Sequence, residues 1–245
     1  MPIRKTERKE GEIISVDIIP IPLGYSRSYV LRGEGVIAVD CGLSGKAGNF
    51  IKGLKTAGIA PEEVKLIVIT HGHSDHVGSA SEIKSATGTK IAMHSSESKW
   101  LENPAMPAPP GVTVWGRMFM SIRRYIMPVE EVTATGVDLL VGNEGISLEE
   151  FGIPGSVIWT PGHTRGSLSV LLNSGDAIVG DLAMNMFPLR LSPGLPIFAE
   201  DMSDVIRSWE LLISKGATVI YPAHGKPFPV SKIEREIKRY KVCSS

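Results

Sequence analysis

The chain has 245 residues, 42% hydrophobic and 21% charged, a globular composition that excludes a fibrous or disordered protein. Lys plus Arg and Asp plus Glu number 26 each, so the formal net charge is zero, and with no basic excess nucleic acid is not expected as the main partner. No stretch approaches the roughly 20 apolar residues that span a bilayer, so no membrane partner is expected either.

Residues 1–10 are polar, with no apolar signal-like run after them, and the expected compartment is cytoplasmic. Cys41 and Cys243 are the two cysteines and are expected to be free thiols. Residues 13–22 and 28–40 are β-branched runs that predict strands, the second folded into a hairpin at Gly33-Glu34-Gly35. Residues 45–58 carry Phe50, Ile51 and Leu54 at helical spacing and close on a glycine. Residues 64–70 read as a buried strand, 76–87 as a helix and 90–93 as a short strand. Residues 101–130 interrupt this alternation with five prolines, four methionines, Trp115, Phe119 and Tyr125. Such an insertion either covers a site as a flap or packs on the core or on another subunit, which leaves a homodimer open.

The alternation then resumes. Residues 155–160, 167–172 and 176–179 predict strands, and 203–215 predict a helix capped by Ser203 with Val205, Ile206, Trp209, Leu212 and Ile213 on one face. A strand over 218–221 and a charged helix over 231–241 follow.

The segment Thr70-His71-Gly72-His73-Ser74-Asp75-His76 lies between a predicted strand and a predicted helix. In extended backbone, residues two apart point the same way, so His71 and His73 can share one ion. Imidazole nitrogens and a carboxylate packed this closely suit zinc, with iron or manganese accepted by the same donors. His163, Asp181 and His224 each follow an apolar strand beside glycine or proline, which lets their loops approach the same point. His94 closes the short strand at 90–93 and is read mainly as a structural histidine, with a proton-donor role as the alternative. Tyr25, Phe119, Phe187 and Trp115 are pocket candidates by their loop positions.

With its His-x-His-x-Asp-His signature and the downstream His163, Asp181 and His224, the chain resembles the metallo-β-lactamase-fold hydrolases over residues 13–228. The resemblance implies an α/β fold, a four-layer αββα sandwich, so residues 1–245 are expected to form a single domain with the flap at 101–130. It implies two divalent metal ions, zinc first. His71, His73 and His163 would hold one, Asp75, His76 and His224 the other, and Asp181 would bridge them. Asp40 would support the ligands from behind. The implied reaction is hydrolysis by a metal-bridging hydroxide, with Asp75 and Asp181 as the catalytic carboxylates and a small molecule as substrate.

Within the family, the bridging aspartate argues against a true β-lactamase. Met184 stands where the lactonases of this fold carry a substrate-contacting tyrosine. Thr160-Pro161-Gly162-His163-Thr164 and Gly180-Asp181 are similar to glyoxalase II, the hydroxyacylglutathione hydrolase, in a short form without its C-terminal helical domain. The expectation is therefore an ester or thioester hydrolase. The alternatives are a lactonase, a phosphodiesterase or an iron-dependent persulfide dioxygenase.

Overall fold

The structure, a computed structural model, describes residues 15–103, 111, 116–118, 131–187, 190 and 192–244. The first half runs β1 (Asp17–Pro22), β2 (Arg27–Arg32), β3 (Val36–Val39), α1 (Ala47–Thr56), β4 (Val64–Val68), α2 (Ser74–Val77), α3 (Ala80–Thr87), β5 (Lys90–His94), α4 (Ser98–Glu102) and β6 (Leu139–Val141). The second runs β7 (Ile146–Ser147), β8 (Gly155–Trp159), β9 (Leu168–Leu172), β10 (Asp176–Ile178), α5 (Met202–Ser214), β11 (Val219–Tyr221), β12 (Phe228–Pro229) and α6 (Ser231–Ser244). Strands β1 to β6 form one sheet in chain order, and β12 to β7 form the other in reverse chain order. In the first sheet β1, β2 and β3 are antiparallel, and β3 to β6 run parallel. In the second, β10 and β11 are the parallel pair among otherwise antiparallel neighbours.

The strands are apolar on both faces because both faces are covered. Tyr29, Leu31, Leu66 and Val68 of the first sheet meet Val157, Val170, Leu172 and Ile178 of the second in a core between the sheets. Residues one step along the same strands face outward: Val30, Ala38 and Ile67 pack under Phe50 and Leu54 of α1 and Ile83 of α3. Leu171, Ala177 and Ile220 pack under Trp209 and Leu212 of α5 and Ile233 of α6. Three stacked cores separate four layers, and the architecture is the expected αββα sandwich. Tyr29 joins the sheets directly, donating its hydroxyl to the Pro222 carbonyl at 2.8 Å and meeting Tyr221 edge to face.

Several local expectations change. The helix read over 76–87 is two pieces, α2 beginning at Ser74, with the break at Gly78-Ser79. There the Ser79 hydroxyl donates to the Leu43 carbonyl and accepts from the Lys46 N–H, so it serves a neighbouring loop and not a continuous helix. The cap of α5 is Asp201, not Ser203: Asp201 Oδ1 accepts the N–H groups of Ser203 and Asp204. Strands β6, β7 and β12 and helix α4 were not anticipated. Of the expected flap only 101–103, 111 and 116–118 are described, with Gly111 in a backbone bridge to Phe198. Trp115 and Phe119 lie outside the described residues, as does the Cys243 side chain, whereas Cys41 is a buried free thiol. No helix among the described residues is long and apolar enough to cross a membrane.

Candidate metal centre

Every expected ligand lies on a loop, turn or short helix that follows a strand, at one rim of the sandwich. β4 ends at Val68, and the chain passes through His71 and His73 into α2, which carries Asp75 and His76. His163 follows β8, Asp181 sits in a single 3-10 turn (Gly180–Leu182) after β10, and His224 follows β11. The Leu168 N–H donates to the Thr70 carbonyl at 2.8 Å, tying the two sheets together at this rim. Gly180 is a required glycine: its φ is +52°, and a Cβ there would stand 2.5 Å from Thr70 Oγ1.

The seven side chains form three overlapping groups, His71/His73/His163, His71/His76/Asp181 and Asp75/His76/His224. In each, one donor atom per residue lies within 4.8 Å of the others. Asp181 belongs to one group and reaches residues of the other two. Its Oδ1 is 3.1 Å from His224 Nε2 and 3.3 Å from His76 Nε2, and its Oδ2 is 3.6 Å from His163 Nε2. Asp75 Oδ2 lies 3.1 Å from His224 Nε2. His73 Nδ1 and His163 Nε2 face each other at 3.0 Å.

Outer partners fix which nitrogen three of the imidazoles present. His76 Nδ1–H donates to Asp40 Oδ2, His163 Nδ1–H to the Phe198 carbonyl and His224 Nδ1–H to the Tyr25 carbonyl. Because these acceptors cannot donate, Nδ1 carries the proton and Nε2 is turned to the cluster. Asp40 also accepts from the Thr70 N–H and hydroxyl, and its own backbone takes a positive φ of 63° to reach both. Aspartate is one of the few non-glycine residues that tolerate that region.

Burial holds His71 and His163 below the usual histidine range and His73 down to about 3, reinforced for His71 and His73 by neighbouring imidazoles. These three are neutral, with lone pairs to offer. Burial also disfavours charge on His76 and His224, but the carboxylates win: Asp75, Asp40 and Asp181 raise His76 well above its ordinary value, and Asp181 and Asp75 lift His224 to about 10. Burial alone would raise Asp75 and Asp181, yet the cationic His76 and His224 hold both below the carboxylate range.

The donor set fits a cation. His71 Nε2, His76 Nε2 and Asp181 Oδ1, turned to the cluster, are buried with no hydrogen-bond partner. Unpartnered buried polar atoms are costly, and three in one cluster need a common explanation. A His/Asp cluster able to bind metal ions supplies it.

Of the remaining candidates, Tyr25 is at the centre, its ring stacked on His224 with centroids 5.8 Å apart. Phe187 is 77% exposed, two residues beyond Asn185, whose N–H donates to the His224 carbonyl. His94 stands outside the three groups. It stacks on Trp159 and is bonded through its ring nitrogens to Ser96 and Asn143, and burial lowers its pKa. Two contributors were not singled out in the sequence: Thr70, which links Asp40 to His71, and Glu97, whose carboxylate bonds the backbone of two ligand loops. Neither has a spacing that would have marked it.

The model of the Metallo-beta-lactamase superfamily matches residues 21–224. Among relatives, "Probable metallo-hydrolase YqgX" of Bacillus subtilis (strain 168) is 24% identical over 163 residues, 66% of this chain and 67% of that protein. "Probable metallo-hydrolase YybB" of the same organism is 26% identical over 210 residues, covering 85% of this chain and 84% of the other. The solved BLEG-1 B3 metallo-beta-lactamase superposes with a TM-score of 0.67 at 22% identity, over 89% of this chain and 95% of that one, a likeness of fold.

Proposed function

The chain belongs to the metallo-beta-lactamase superfamily, and from that premise we propose that it is a dinuclear metal-dependent hydrolase of an ester or thioester. A metal-dependent hydrolase is in keeping with relatives named as metallo-hydrolases. The observation that carries the dinuclear reading is Asp181, with one carboxylate oxygen toward His76 and His224 and the other toward His163. His71, His73 and His163 would hold one ion and Asp75, His76 and His224 the other. When bound, two divalent ions supply a water nucleophile activated at neutral pH and polarise the bond to be cleaved.

The chain's own residues do the rest. Asp40 and the Phe198 and Tyr25 carbonyls keep the imidazole rings turned inward, so the donors are in place before substrate arrives. Asp75, with its side chain 12% exposed against 7% for Asp181, is the carboxylate more open to solvent and orients the attacking water by accepting its hydrogen bond. Tyr25, stacked on His224, borders the centre beside that ligand. Thr160-Pro161-Gly162-His163-Thr164 and Gly180-Asp181 support a thioester, as in glyoxalase II, over other acyl groups.

The test is hydrolysis of S-lactoylglutathione by zinc-reconstituted protein beside Asp181→Ala. A kcat/KM of about 10⁴ M⁻¹s⁻¹ or above, lost in the variant, supports thioester hydrolysis. A negligible rate from protein holding two zinc ions removes the glutathione thioester and leaves a metal-dependent hydrolase of another substrate.

A further inference from the structure

Glu97 is a buried carboxylate with no part in the chemistry above. It follows β5, opens α4 and is fully buried. Its Oε2 accepts the Gly72 N–H at 2.9 Å and its Oε1 accepts the Gly166 N–H at 2.7 Å. Gly72 stands between His71 and His73, and Gly166 lies three residues beyond His163 in the same loop. One side chain therefore fastens two loops that leave different sheets and that carry the three imidazoles of one group. The fit is close on the loop side as well: a Cβ on Gly166 would stand 2.7 Å from Glu97 Cγ.

A buried carboxylate satisfied by two backbone N–H groups and the Thr164 hydroxyl is a costly device for joining loops that the Leu168-to-Thr70 backbone bond already brings together. What it adds is rigidity at the ligands. A metal site tolerates only about 0.5 Å of looseness in its donors. Neither loop that Glu97 grips carries His224, and its Gly72 partner precedes α2, which carries Asp75 and His76.

We propose that Glu97 is a positioning residue that sets the separation of the His71–His73 loop from the His163 loop, and so the metal affinity of that triad, leaving the Asp75/His76/His224 triad unaffected. The proposal rests on the metal-binding reading given above. Glu97→Gln is nearly isosteric, but its amide oxygen can serve one N–H only, and its NH₂ then opposes the other.

The experiment is a Co²⁺ titration of the full metal-free chain, followed by visible absorption, with Glu97→Gln placed in two backgrounds. In His224→Ala, where the three-histidine triad remains, Glu97→Gln should weaken cobalt binding by about 10- to 100-fold. In His163→Ala, where the other triad remains, it should change nothing. Equal weakening in both backgrounds, or none in either, overturns the proposal. If Glu97→Gln shows no cooperative melting transition, Glu97→Asp, which is too short to reach both loops, carries the same comparison. A wild-type chain that takes up no cobalt overturns the metal reading itself and this inference with it. Wild-type uptake of two ions with Glu97→Gln indistinguishable overturns the inference alone.

Discussion

Asp181 Oδ1 lies 3.1 Å from His224 Nε2, and the two residues follow neighbouring parallel strands, β10 and β11. Parallel strands deliver their C-terminal ends to the same rim, so a residue just past each one meets the other without a long loop. The same logic brings Asp40, past β3, to His76, past β4.

Asp181→Ala should remove the carboxylate shared between the two triads. Metal content of zinc-reconstituted protein is expected to fall from two ions per chain to one, and turnover by more than about 100-fold. Elemental analysis and kcat on the same preparation check both. Retention of two ions with normal turnover would contradict the bridging role.

Metal uptake should release protons. His224, raised to about 10, is protonated at neutral pH without metal and must lose that proton to bind, whereas His73, lowered to about 3, is already neutral. Apparent affinity should therefore rise as pH rises toward about 10 and fall in acid. Zinc titration in weakly buffered solution with a pH indicator measures the release, and His224→Ala should lower it by about one proton per chain.

Asp40 separates stability from metal binding. Asp40→Ala leaves the Thr70 N–H and His76 Nδ1–H without acceptors and puts alanine at a φ of 63°, which should cost about 3–5 kcal/mol. Asp40→Asn tolerates that φ and keeps an oxygen for Thr70, but turns an NH₂ against His76. Urea unfolding of metal-free protein should show a loss of only about 1–3 kcal/mol for the asparagine variant. Its metal affinity should still drop by about 10- to 100-fold.

Trp209→Phe tests the support beneath Asp181. Fully buried Trp209 donates its Nε1–H to the Leu182 carbonyl at 2.9 Å, holding the turn that carries Asp181. The variant leaves a small cavity and an unpaired carbonyl, together worth about 2–4 kcal/mol, and should also weaken metal binding. Urea unfolding and zinc affinity measured together decide it. Lost stability with unchanged affinity would show that the turn keeps its shape without the bond.

The main strands and the metal cluster could be read from sequence because both are written locally, whereas the four-layer stacking followed from the family resemblance. Apolar strands such as 64–68 announce themselves, and the ligands are concentrated in one six-residue run or placed just past such strands. Strands β7 and β12, two residues each, are too short to show a period. Asp201 and Ser203 are equally good capping residues by type, and only geometry chooses between them. Glu97 was invisible for a different reason: its partners are glycine N–H groups 25 and 69 residues away, which carry no side-chain signature. His94 closes its strand as the sequence suggested, but stacking on Trp159 sets it apart from the cluster.

The most direct test is to strip the chain with chelator and follow thioester hydrolysis as zinc is returned in measured equivalents. Turnover should be absent without metal, remain low at one ion per chain and reach its full value at two. Turnover that survives stripping, or that is complete at one ion, would contradict a dinuclear hydrolase.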